Sequence, residues 1–176
     1  SSFGIEFIEW TPYGGSEIYT PGKPLGIDSD GESLIAMAVD QLGVELLSID
    51  SLGADPVLIG RVDTQGNAEK VTLTSSGVFV ACDNAGAAYI PIENFGTANP
   101  ANSFGTDFTV DHIAVHNNIA ALSIGSRGLA LYDISDPEYP IEKGVFPIGY
   151  TYMSAFWEGK LLVCSREGLQ LIAIAQ

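Results

Sequence analysis

Ala120-Ala121-Leu122-Ser123-Ile124, then Gly125-Ser126-Arg127-Gly128, then Leu129-Ala130-Leu131-Tyr132-Asp133-Ile134, is a short apolar run that turns on a glycine and climbs into a second apolar run. The same form recurs over residues 34–49, 78–92 and 160–174. Its turning glycines are Gly43, Gly86, Gly128 and Gly168, spaced by 43, 42 and 40 residues, and an isoleucine stands six residues after each of them. A unit of about 42 residues made only of short strands is the signature of a β-propeller blade.

Each unit reads as four strands. The first covers residues 25–28, 71–74, 113–116 and 153–156, and a turn follows at Asp30-Gly31, Ser76-Gly77, Asn117-Asn118 or Glu158-Gly159. Such dipeptides tolerate the positive φ of a tight hairpin. The second strand, 34–39, 78–82, 120–124 and 161–164, is apolar at nearly every position. A strand with one wet face would alternate, so both faces of this one are expected to be covered, as they are between blades stacked around an axis. The third strand follows the glycine, and Pro56, Pro100 and Pro140 then precede an outer fourth strand at 57–63, 103–109 and 141–146. Proline removes a ladder donor and suits the start of an edge strand.

The fold expected is therefore all-β, a propeller of about four blades with modules near 24–63, 70–109, 112–147 and 150–176. The last module stops short of a fourth strand, and residues 3–10 are the candidate to supply it and close the ring. A closed four-bladed ring and half of a larger ring both fit this count. At 176 residues, with 46% hydrophobic and 16% charged residues, a single folded domain is expected, burying roughly 70% of the surface its unfolded chain exposes.

Acids outnumber bases 22 to 7, a formal charge of −15. That surface repels nucleic acid and anionic lipid, and suits a secreted or high-salt protein as well as a merely soluble one. No stretch of about 18 apolar residues occurs, since Arg166 and Glu167 interrupt the most hydrophobic one, so membrane insertion is not expected. The N-terminus lacks the basic and long apolar regions of a secretion signal, which leaves the compartment open. Cys82 and Cys164 each lie four residues before a turning glycine, where the other units have Val39 and Ile124. Both are expected to be buried free thiols.

Gly128-Leu129-Ala130-Leu131-Tyr132 followed by Asp133-Ile134-Ser135-Asp136-Pro137-Glu138-Tyr139-Pro140 resembles the LVIVD repeat family, whose members repeat a glycine, an apolar strand, a D-I-S-D-P-like turn and a second proline. Residues 48–60 are similar with a longer turn, and residues 91–100 and the final copy fit less closely. The resemblance covers about residues 24–176. It implies a β-propeller of the kind found in secreted or cell-surface bacterial and archaeal proteins, and it carries no catalytic residue.

Ligands of propellers usually meet the face where the loops between blades and the turns between second and third strands gather. There the long segment 10–24 brings Trp10, Tyr13 and Tyr19, and later loops bring His112, Tyr150 and Tyr152, the candidate binding residues. Asp40, Asp63, Asp83, Asp107, Asp111, Arg127, Arg166 and Glu167 share that face. No cofactor is implied; calcium is the one ion such carboxylates would suit, and no dense calcium loop is present. His112 and His116, on one strand, stand about 13 Å apart, too far to share an ion. No nucleophile elbow, phosphate loop, H-E-x-x-H or C-x-x-C occurs, so no catalytic residue is named. The reading is a non-enzymatic binding or scaffolding module with a protein or glycan partner, a homodimer being one way to complete a ring. The alternative is a propeller enzyme, a lyase or glycoside hydrolase, with its site at the channel mouth.

Overall fold

The computed structural model describes residues 3–8, 15–49 and 55–174. A hairpin of β1 (Phe3–Ile8) and β2 (Gly15–Thr20) comes first. Blade 1 holds β3 (Gly26–Ser29), β4 (Leu34–Ala38), β5 (Val44–Ser48) and β6 (Val57–Val62). Blade 2 holds β7 (Lys70–Leu73), β8 (Gly77–Ala81), β9 (Ala87–Pro91) and β10 (Asn102–Phe104), with a short 3-10 turn at Ile92–Asn94 before its last strand. Blade 3 holds β11 (His112–His116), β12 (Ile119–Ser123), β13 (Leu129–Asp133) and β14 (Ile141–Phe146), and blade 4 holds β15 (Thr151–Trp157), β16 (Lys160–Ser165) and β17 (Gly168–Ala173). Within each blade every strand pairs antiparallel with the next.

The unbroken apolar second strands are buried on both faces in the first three blades, as their composition requires. In β8, Val78 and Val80 pack toward blade 1 with Ala36, Ala38 and Leu46, while Phe79 and Ala81 pack toward blade 3 with Leu122 and Tyr132. Ala121, Leu129 and Leu131 of blade 3 then meet Leu161 and Val163 of blade 4. Each buried leucine of this kind is worth about 1.5–3 kcal/mol. The first strands lie side by side in order, β3 by β7, β7 by β11 and β11 by β15. Asp28 Oδ2 accepts from Leu73 N at 2.8 Å, Lys70 Nζ donates to the Leu25 carbonyl at 2.6 Å, and Thr72 Oγ1 donates to the Ile113 carbonyl at 2.9 Å, so polar bonds stitch one inner strand to the next.

Phe3–Ile8, the strand expected to complete the last blade, forms a hairpin with β2 in which Phe3 stands opposite Thr20 and Ile8 opposite Gly15. Thr20 Oγ1 donates to Glu45 Oε1 at 3.1 Å, and a Cβ on Gly22 would meet Val39 and Leu42, so the hairpin ends against the side of blade 1 turned away from blade 2. Glu45 is buried there in an ion pair with Arg61.

The structure changes the expectation for Cys164. In blades 1 to 3 the turning glycine stands opposite Val39, Cys82 and Ile124. In blade 4 Gly168 stands opposite Ser165, because Arg166 and Glu167 alone make the turn. One residue fewer moves the side chain four before the glycine to the other face of the sheet. Cys82 is buried, Cys164 is exposed, and both are free.

Candidate binding face

The turns between second and third strands share a local geometry. Asp40, Asp83 and Gly125 hold φ of 47°, 50° and 56°, and each bridges to the loop entering the next blade, at Ala68, Val110 and Thr151. Aspartate is among the few residues with a side chain that tolerate this left-handed backbone, which accounts for its use in the first two turns. The bridges lock each turn to its neighbour: Ala68 N donates to the Asp40 carbonyl at 2.9 Å and Val110 N to the Asp83 carbonyl at 2.8 Å.

This geometry gathers carboxylates at the face. Burial, then the Asp83 and Asp40 charges, raises the Glu69 carboxyl above its ordinary value. Burial and then Asp83 do the same for Asp111. Among the described residues no group of three or more His, Cys, Asp or Glu side chains is arranged to hold a metal ion.

The third of these turns, where blade 3 meets blade 4, has no aspartate at this position. Gly125 takes the place of the aspartate, and a pocket of about 260 Å³ opens between Asp107, Thr109, Asp111, Arg127 and Tyr150. The Arg127 guanidinium lies 4.3 Å from the centre of the Phe108 ring and donates to the Asp107 carbonyl at 2.9 Å. Arg166 lies 5.2 Å over the ring of Tyr150, whose centre is 5.0 Å from that of the Tyr152 ring at a 46° tilt. Cations held over aromatic rings stay oriented in spite of their exposure. Thr151 Oγ1 donates to the Gly128 carbonyl and fixes the strand carrying these rings against blade 3.

Tyr150 and Tyr152 are thus brought together as the sequence suggests. His112, at the start of β11, does not line the pocket although it follows Asp111; its Nδ1 is buried with no hydrogen-bond partner, and burial, followed by the Lys70 charge, lowers its pKa. Tyr19, next to last in β2, is 64% exposed on the first hairpin. Trp10 and Tyr13 lie outside the described residues. His116 occupies the far end of β11 and stacks on Phe156 at 5.3 Å. The sequence did not single out Phe108 and Thr109. The signal available was a guanidinium, Arg127, on a face otherwise rich in acids, which calls for a ring or an acid to hold it.

No protein-family model matches this chain, and no curated protein matches it. Solved structures do. The computationally designed Ika4 protein aligns at a TM-score of 0.69 and 10% identity over 89% of this chain and 94% of its own. U3-55K aligns at 0.71 and 10% identity over 90% of this chain and 57% of its own, and the WD40 β-propeller domain of Doa1 at 0.63 and 14% identity over 90% and 54%. The chain thus spans the designed protein almost entirely and about half the length of the other two. Together with the four stacked antiparallel sheets, these likenesses show that the chain has a β-propeller fold.

Proposed function

We propose that the chain is a non-enzymatic binding or scaffolding propeller of the LVIVD-repeat kind, working outside the cytoplasm, which presents the face between blades 3 and 4 to a protein or glycan partner. The observation that carries this is the pairing of Arg127 with Phe108 and of Arg166 with Tyr150 around one pocket: two of the three arginines of a strongly acidic chain are held over aromatic rings on this face. Arginine and tyrosine on a rigid base lose little freedom on binding and are the residues that most often anchor interfaces. The exposed Tyr152 ring beside this pair likewise suits a sugar ring. The WD40 domains among the structural neighbours and the surplus of acids over bases favour a soluble interaction module.

The test is to probe immobilised chain with peptide and glycan arrays beside the Tyr150→Ala and Arg166→Ala variants. Ligands retained by the wild type and lost by at least about tenfold in either variant support the reading. Retention unaffected by both substitutions, or turnover of a glycan that both abolish, overturns it.

A further inference from the structure

The three seams between blades are built on one register, and the third differs from the other two in chemistry. Toward the blade that follows, blade 1 presents Asp28 and Ala38, the latter opposite Gly26; blade 2 presents Thr72 and Ala81, the latter opposite Lys70; blade 3 presents Ala114 and Ser123, the latter opposite His112. The inner strand of the following blade meets them with Val71, Ile113 and Ser154 in turn, which stand opposite Val80, Leu122 and Val163. Ala38 and Val71 share one apolar cluster, and Ala81 and Ile113 share the next. By the same register Ser123 and Ser154 stand across from one another in the third seam, where Ala121 meets Val163.

Polar groups are left over there. Among the described residues the buried side-chain atoms without a hydrogen-bond partner are His112 Nδ1, Ser123 Oγ and Ser154 Oγ, and all of them belong to this seam. Ser123 is fully buried and Ser154 is 5% exposed. His112 shares the sheet face of Ser123, its cross-strand partner, and His116 on that same face stacks on Phe156 of blade 4. In the first two seams an inner-strand side chain carries a bond to the next inner strand, Asp28 Oδ2 accepting from Leu73 N and Thr72 Oγ1 donating to the Ile113 carbonyl. Ala114 holds that position in the third seam and has no group to do so. Ala114, Ser123 and Ser154 are also smaller together than Asp28, Ala38 and Val71, or than Thr72, Ala81 and Ile113. The third seam therefore has both spare room and spare hydrogen-bonding capacity.

We propose that the seam between blades 3 and 4 is a binding site for an internal water molecule, held between His112 Nδ1, Ser123 Oγ and Ser154 Oγ in place of the side-chain bond that crosses the other two seams. Water is the ligand these groups select. It donates to an imidazole nitrogen, gives or accepts a bond at each hydroxyl, and is small enough for a gap bordered by Ala114, Ala121 and Val163. Two neutral hydroxyls and one imidazole supply no charge to hold a hard cation, which takes oxygen ligands in larger number. Ordering one water costs less than leaving buried polar groups unpaired, so the seam is stabler wet than dry. This inference does not rest on the pocket at the binding face, and the two are tested by different measurements.

Oxygen-17 relaxation dispersion of the solvent counts the waters that stay inside a folded protein for longer than it takes to tumble. Ser123→Ala combined with Ser154→Val gives the third seam the residues of the first, and the double variant is expected to lose the contribution of one long-lived water relative to the wild type. A folded double variant with an unchanged dispersion overturns the proposal. The wild-type protein supplies a second reading that needs no substitution. In high-resolution crystals a single ordered water is expected within hydrogen-bond distance of His112 Nδ1 and of both hydroxyls. A seam in which the two hydroxyls bond to each other or to backbone carbonyls, with no water between them, overturns the proposal as well.

Discussion

His112 shows how one buried side chain sets a dependence on pH. Burial and the Lys70 charge keep its folded-state pKa below the ordinary value, so the unfolded chain takes up a proton that the folded chain refuses. Stability is then full above the ordinary histidine value and falls as pH drops through it. Glu69 and Asp111 act with the opposite sign. Their carboxyls are raised, so their contribution is full at acid pH and is lost as pH rises through the folded values. Thermal unfolding followed from about pH 7.5 to 5.5 is expected to show a falling midpoint in the wild type and a flatter profile in His112→Gln. An unchanged slope in the variant would assign the acid sensitivity to other groups. The sequence gives no hint of this titration, since only the register places His112 opposite Ser123 and buries its Nδ1.

At the scale of strands and turns, the periodic glycines were readable because each does the same steric work. At Gly128 φ is 91° and an added Cβ would press into the Phe146 carbonyl, whereas at Gly168 φ is 118° and nothing lies within 4 Å of that position. Gly128→Ala is therefore expected to cost about 2 kcal/mol or more, against about 1 kcal/mol for Gly168→Ala, measured by denaturant unfolding. Equal costs would show that backbone strain alone, not the close approach, explains the glycine. The same comparison explains where reading by offset failed. Counting back from the glycine placed Cys164 in the core, and it holds for three blades; the fourth turn is a residue shorter, and in a strand a single residue decides between core and solvent. The pocket was legible only in part. Its tyrosines stand out in the sequence, but the stacking of Arg127 on Phe108 joins residues 19 positions apart through two different blade connections, and no local pattern encodes it.

Across the whole molecule, period and doubly apolar strands were enough to specify four sheets stacked in series, whereas the pairing of β1 with β2 was not legible, because that hairpin lacks the turning glycine and following isoleucine that mark the other units. Serial stacking also has a dynamic outcome. β16 and β17 bury fewer of their side chains than β8 and β12, so in a row of coupled sheets the last one opens more readily than the middle ones. In a dilute sample, backbone amides of β16 and β17 are expected to trade their protons for deuterium faster than those of β8 and β12 by at least about tenfold, in order of distance from the tail. Uniform protection along the row would mean that the propeller melts as one cooperative body. A graded profile would give the last sheet the behaviour of a latch, able to let go while the remaining three keep their shape.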